Sequence, residues 1–259
     1  MTSTATLEST TDRVDAQPSG LGTYVREMFA AATLDDTVEK VLSLTQQLFG
    51  CDEVGLLLAA DGEAVSSVAA SGDDVARAEA LQLDSKQGPG LQAIADHQPV
   101  TATELRFDSR WRFWAPLAAD LGFRSALSLS LADGDTSGAI TLYSRRPSRF
   151  TSSDLPLARD FAEHASIAIA VATERQQLLR AIQSRGMVGQ AQGILMQRYG
   201  ISDDQSSEIL RRYAQHLDAK LRDVADRVVR DRKLPELDDV TLPALAQLSS
   251  GATGSSPSR

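Results

Sequence analysis

Residues 151–201 read TSSDLPLARDFAEHASIAIAVATERQQLLRAIQSRGMVGQAQGILMQRYGI. Ser152, Ser153 and Asp154 can cap a helix, and Pro156 falls in its first turn. Nothing breaks the helical pattern until about Gly186. Ala158, Phe161, Ala165, Ala168, Ala172, Arg175, Leu179 and Ile182 recur at spacings of 3 and 4, an a/d seam over almost four heptads. Such a seam predicts a parallel helix pair and hence a homodimer through Phe161, Ala165, Ala168, Ala172, Leu179 and Ile182. The competing reading is that Phe161 to Ala172 packs on the sheet of its own domain. Further along, Gly186, Gly189 and Gly193 interrupt the propensity, at roughly 1 kcal/mol each relative to Ala. Three glycines on one side point to close approach of a neighbouring helix, the favoured reading, or of a ligand backbone. Tyr199-Gly200 ends the helix.

Upstream, the pattern alternates between helix and strand. Apolar residues from Tyr24 to Phe49 recur at helical spacing, with a break at Leu34-Asp35-Asp36-Thr37 that predicts two helices. Glu53 to Ala60 and Ala64 to Ala70 read as a hairpin turning at Asp61-Gly62. Val75 to Leu83 is a short helix or irregular segment. Gly88-Pro89-Gly90 is a tight loop before a helix over Leu91 to Asp96. Pro99 to Ala102 is a short strand, and Ser109 to Leu121 is helical in spacing despite Pro116. Ser125 to Leu131 and Gly138 to Ser144 are strands joined at Asp133-Gly134-Asp135. Five or six strands joined mostly by hairpins, with helices outside, make an α+β sheet domain.

Downstream, residues 177–233 divide into three amphipathic helices. The second is capped by Ser202, with Asp203 and Asp204 at its positive end. The third carries the stripe Leu221, Val224, Ala225, Val228 and Val229. The expected organisation is therefore a polar leader over 1–20, a sheet domain over 21–150, and a connecting and dimerisation helix over 151–185. That helix overlaps the start of a three-helix domain over 177–233, and 234–259 forms a tail.

The chain of 259 residues carries a net charge of −9, unevenly spread. Residues 1–176 balance to −11, residues 177–233 to +4 and the last 26 to −2. An acidic body with a basic helical segment points that segment towards a polyanion, against the plainer reading of a solvated arginine face. The single Cys51 excludes an internal disulfide and a cysteine metal cluster, and the three histidines lie far apart. No apolar run suits a membrane helix, and the start lacks the order of a signal peptide, so a cytoplasmic protein without membrane partners is expected. No nucleophile elbow, P-loop or metal motif appears, and Glu163 and His164, adjacent on a helix, diverge by about 100°. A non-enzyme is expected, and no cofactor is indicated.

Arg185-Gly186-Met187-Val188-Gly189-Gln190-Ala191-Gln192-Gly193-Ile194-Leu195-Met196-Gln197-Arg198-Tyr199-Gly200-Ile201 resembles the opening of the ANTAR domain, an RNA-binding antitermination module of bacterial regulators. Leu210-Arg211-Arg212-Tyr213 and Lys220-Leu221-Arg222-Asp223-Val224-Ala225 are similar to its second and third helices. Gly88-Pro89-Gly90-Leu91-Gln92-Ala93, Asp108-Ser109-Arg110-Trp111 and Gly122 to Leu129 resemble a GAF sensor domain. The resemblance implies a GAF-type sheet domain, a long helix and an all-α ANTAR-type bundle. It implies binding of paired stem-loops in nascent messages, so that terminators do not form, with a small-molecule or protein signal on the GAF domain. For such a partner, Arg185, Arg198, Arg211, Arg212, Lys220 and Arg222 offer cations to phosphate. Gln190 and Gln192 can pair base edges beside the small Ala191 and Gly193, and Tyr199 or Tyr213 could stack, although core is the commoner fate of such tyrosines. The rivals are a helix-turn-helix DNA binder and a small-molecule sensor whose tail only dimerises. Two positions depart from the usual ANTAR pattern: Gln192 stands where Lys is usual, and Ser206-Ser207 where Ala-Phe is usual. In the GAF part, Gly90 replaces a Cys common in relatives, and Cys51 lacks a nearby cation and is expected to be inert.

Overall fold

The computed structural model describes residues 18–59, 64–133 and 136–234. The chain forms two compact units, one ending at Glu174 and the other beginning at Arg175. The turns expected at Asp61-Gly62 and Gly134-Asp135, the first 17 residues and the tail beyond Leu234 lie outside the described residues.

The first unit opens with α1 (Pro18–Phe29) and α2 (Leu34–Phe49). α1 begins at Pro18 and so takes in the last three residues, 18–20, of the expected leader. The break between the helices is a capping box. Thr33 Oγ1 accepts from the Asp36 amide and the Asp36 carboxylate accepts from the Thr33 amide, both at 3.1 Å. Gly50, at φ 54°, ends α2 in a conformation that costs glycine nothing.

Five strands then build one antiparallel sheet: β1 (Glu53–Ala59), β2 (Ser66–Ala70), β3 (Val100–Ala102), β4 (Ser125–Asp133) and β5 (Thr136–Ser144). Their spatial order is β2-β1-β5-β4-β3. Between them lie α3 (Asp73–Ser85), α4 (Pro89–Asp96) and α5 (Trp114–Asp120). The segment expected as a helix from Ser109 is instead two short 3-10 turns, at 105–107 and 109–111, before α5. Asp108 accepts the Arg110 amide and holds its guanidinium, which closes the second turn locally.

Both faces of the sheet are covered, which is why Val54 to Leu58 is an unbroken buried run. On one face Val41, Leu44, Leu56, Leu129 and Leu142 pack with Phe161, Ala165, Ala168 and Ile169. The ring of Phe161 meets Phe49 edge-on at 5.8 Å. On the other face Trp114, Phe123 and Tyr143 pack among alanines.

The helix α6 runs unbroken from Leu155 to Tyr199, straight through Gly186, Gly189 and Gly193. The expected dimer seam divides along it. Phe161, Ala165 and Ala168 are core residues of the sheet domain and Ala172 is buried, so these four are not open to a second chain. Small side chains at these positions let the helix lie close to its own sheet. Leu179 and Ile182, by contrast, are 53% and 65% exposed. α7 (Asp203–His216) and α8 (Leu221–Asp231) complete the second unit. No described helix is long and apolar enough to cross a membrane.

Candidate nucleic-acid interface

The second unit is held by one small core. Ala191 and Leu195 of α6 meet Ile209, Leu210, Tyr213 and Ala214 of α7 and Val224, Ala225 and Val228 of α8. Ser202 starts α7 with the expected cap. Its hydroxyl accepts from the Gln205 amide, and the Gln205 side chain accepts from the Ser202 amide. A four-residue connection then turns the chain into α8, with Asp218 left-handed at φ 46° and the Ala219 amide donating to the Ala214 carbonyl at 2.9 Å.

This core revises the expected binding face. Ala191 is fully buried against α7 and α8, so it is a packing residue and no floor for a nucleic-acid backbone. Tyr213 is likewise core, and Tyr199 is partly buried against the same cluster. Gln192 is half-buried and committed: its amide donates to Asp203 at 3.0 Å and to the Ser207 hydroxyl at 2.6 Å. The two departures from the ANTAR pattern therefore touch each other. An amide at 192 needs an acceptor, and Ser207 supplies one where Phe would not. Ser206, fully buried, donates back to the Asp203 carbonyl at 2.7 Å and so enters the core with its hydroxyl satisfied.

Of the other expected residues, Arg185, Gln190, Gly193, Arg198, Arg211, Arg212, Lys220 and Arg222 are exposed. Arg211 and Arg212 share Glu208, at 3.5 and 2.8 Å, in pairs that are open to water and therefore weak. Arg198 donates to the Arg232 carbonyl at 3.1 Å and lies 6.0 Å from the Tyr199 ring, so it also fastens the end of α8. Lys220 and Arg222 form no ion pair among the described residues. Two further cations of α8 escaped the sequence reading: Arg227, exposed and without an ion pair there, and Arg230, paired with Asp226. Their signal was the basic balance of 177–233, which does not by itself single out residues. Among the described residues a Cβ at Gly186, Gly189 or Gly193 would meet nothing within 4 Å, so no described helix of the same chain approaches closely there.

In the sheet domain Trp111, Trp114, Phe123 and Tyr143 pack between the sheet and α3–α5. Glu79 and Gln82 of α3 are fully buried there beside Tyr143 and Trp114. Burial pushes the Glu79 carboxyl up to about 8, against the pull of its hydrogen bonds from Tyr143 and Gln82. Burial also pushes the Cys51 thiol up to about 12, which makes it a poor nucleophile. A cleft of about 430 Å³ opens elsewhere on this domain, between His97–Pro99, β4 and the Arg159–Ser166 stretch of α6. Among the described residues no group of His, Cys, Asp and Glu is placed to hold a metal ion.

Comparison with known proteins agrees with this division. Residues 31–170 match the GAF domain and residues 176–229 match the ANTAR domain, types with sensor and regulatory roles. No curated protein matches the sequence. Among solved structures, the GAF domain of a phosphoenolpyruvate-protein phosphotransferase from Coxiella burnetii is 16% identical, with a TM-score of 0.49, over 61% of this chain and 94% of that one. A bacteriophytochrome from R. palustris is 15% identical, with a TM-score of 0.50, over 78% of this chain but 48% of that one. At such identities the likeness concerns the fold alone. The GAF match by itself takes in more than half of the residues, so the chain belongs to the GAF-domain family and carries an ANTAR domain behind its GAF domain.

Proposed function

We propose that this protein is a cytoplasmic, signal-responsive RNA-binding regulator, not an enzyme, that acts on nascent transcripts by antitermination. Its GAF domain is the sensor, for a small-molecule or protein signal, and its ANTAR domain grips stem-loop RNA. The observation that carries the reading is a matched ANTAR bundle whose cations, Arg185, Lys220, Arg222 and Arg227, stand exposed without ion pairs among the described residues. Arg211 and Arg212 join them when phosphate competes for Glu208. Gln190 remains available on α6, whereas Ala191 and Gln192 serve the fold and Gly193 joins the stripe described next.

The protein acts as a homodimer in this reading. Leu179, Ile182, Gly186, Gly189, Gly193 and Met196 follow one another at steps of 3, 4, 3, 4 and 3, and all are exposed. A second copy laid along this stripe would cover the two large aliphatic side chains and approach closely at the glycines. The paired stem-loop expected as target suits a pair of ANTAR domains.

The experiment is a comparison of stem-loop RNA and duplex DNA of equal length at one salt concentration. Preference for the stem-loop supports the reading. Equal or stronger binding to duplex DNA makes the protein a DNA-binding regulator, and no binding to either leaves a sensor whose helical tail only dimerises.

A further inference from the structure

Glu79 and Gln82 stand one turn apart on α3, inside a core built mainly from alanines and aromatic rings. The Gln82 amide donates to Glu79 at 2.8 Å and to the Tyr143 hydroxyl at 3.0 Å, and the Tyr143 hydroxyl donates to Glu79 at 3.0 Å. The other end of the Gln82 amide accepts from the Gly90 backbone N–H at 2.8 Å. That backbone donor fixes the amide: Oε1 must face Gly90, so Nε2 must face the carboxyl. The hydrogen bonds thus tie α3 to the start of α4 and to β5.

The surrounding backbone is shaped to admit the cluster. A Cβ at Gly55 would fall 2.3 Å from Glu79 Oε1, and one at Gly88 would fall 2.2 Å from Gln82 Oε1. One at Gly90 would lie 3.2 Å from both Gln82 Oε1 and Thr141 Oγ1. Gly55 of β1 makes room for the buried acid, and Gly88 and Gly90 make room for its partner Gln82. The groups facing it are Gln82 of α3, Gly55 of β1, Gly90 of α4 and Tyr143 of β5. Thr141, bonded to Ser128 of β4, lies beyond Tyr143, and α5 contributes the apolar ring of Trp114. Of these only Tyr143 titrates, and no lysine, arginine or histidine acts on the carboxyl.

We propose that this cluster is a proton-operated latch in the sensor domain. With Glu79 neutral, its carboxyl O–H donates to the Tyr143 hydroxyl in place of accepting from it, and the cluster holds α3 and the start of α4 on β5. When the proton leaves to water, the cluster lets them go. A carboxylate in an apolar core with two neutral donors and no cation is poorly compensated, whereas the same carboxylate in water is fully solvated. Each pH unit between the ordinary value of a free glutamate and that of the buried group favours the released form about tenfold. The proton is thereby a signal for the GAF domain, and the latch operates whether or not the second unit binds RNA.

The chain carries its own reporter. Its two tryptophans, Trp111 and Trp114, both belong to this core, and the Trp114 indole N–H donates to the carbonyl of Ala78, next to Glu79, at 2.9 Å. The test is acrylamide quenching of tryptophan emission in the full-length protein from pH 5 to 9.5, with circular dichroism as the folding control. The expected result is quenching that rises with pH and levels off above about pH 8. Glu79→Gln, neutral at every pH, should abolish the rise. Tyr143→Phe keeps the ring and removes one bond of the latch, and should start the rise at lower pH. Quenching independent of pH in the wild type overturns the proposal, as does a rise that survives in Glu79→Gln. Should Glu79→Gln fail to fold, an unchanged profile in Tyr143→Phe overturns it alone.

Discussion

Gln192 shows how one side chain can be read correctly for chemistry and wrongly for place. An amide on a basic helix is a fair candidate for base edges, yet this one spends both donors on Asp203 and Ser207. Gln192→Ala should therefore destabilise the second unit by about 1 kcal/mol, the usual worth of such bonds. The salt dependence of RNA binding should stay as it was, and thermal unfolding beside a salt titration checks both halves. Gln192→Lys should pair with Asp203 and leave RNA affinity within about twofold, since the added charge is spent inside the bundle. Glu79 makes the second prediction at this scale. Its value is 4.5 when free and about 8 when folded, so between those limits the unfolded chain has lost a proton that the folded chain keeps. Stability then falls as pH rises through that window, by about 1.4 kcal/mol per pH unit, and levels off above pH 8. Chemical denaturation at pH 6, 7 and 8 should show this fall, and Glu79→Gln should remove that part of it.

At the scale of the element, α6 does two jobs with one heptad pattern. Its first half is buried in the sheet domain through Phe161, Ala165 and Ala168. Glutamates at Ala168 and Ala172 would therefore damage that domain and say little of dimerisation. Leu179 and Ile182 are the informative pair, because the described residues leave them largely exposed. Leu179→Glu with Ile182→Glu should leave both units folded and convert a dimer to a monomer in sedimentation. A double variant that remains dimeric would move the contact elsewhere. The glycines separate fold from assembly more finely. Alanine at Gly186, Gly189 or Gly193 meets nothing within 4 Å among the described residues and adds about 1 kcal/mol of helix propensity each. A triple alanine variant should unfold at higher temperature as a monomer yet dimerise more weakly if two helices close on that face.

For the whole molecule, the proposal requires a polyelectrolyte interface on an otherwise acidic chain. A patch that neutralises Z phosphates of a largely single-stranded loop has a salt slope near −0.7Z. Arg211→Ala with Lys220→Ala should flatten the slope of log affinity against log salt by roughly 1 to 1.5 units if both touch phosphate. Both side chains lie outside the core, so the bundle should stay folded. An unchanged slope in a folded variant would shift the surface to Arg185 and Arg198. The dimer enters at this scale too. If each copy holds one loop of a paired target, the Leu179 and Ile182 variant should lose avidity for the paired RNA while keeping its affinity for a single loop.

Hydrophobic period, caps and turn residues determined the element order, because these signals act within a few residues of one another. The break between α1 and α2 and the antiparallel strands were expected from them, as were the helical stripe of α8 and the cap at Ser202. The two domain types were legible in the same local way, in the motifs around Gly88 and Gly193. What local sequence leaves open is the partner of each face. A seam of alanines reads the same whether it meets a sheet or a second helix, and only the packed sheet assigned Phe161 and Ala165 to the core. An alanine amid glutamines reads as surface until two helices close over Ala191. Nor does spacing along the chain bring Glu79 to Tyr143, 64 residues away, or reveal that Gly55 makes room for Glu79 and Gly88 for Gln82. Burial and hydrogen bonding between distant residues are properties of the closed fold, and they alone decided which polar groups of this protein face water and which face one another.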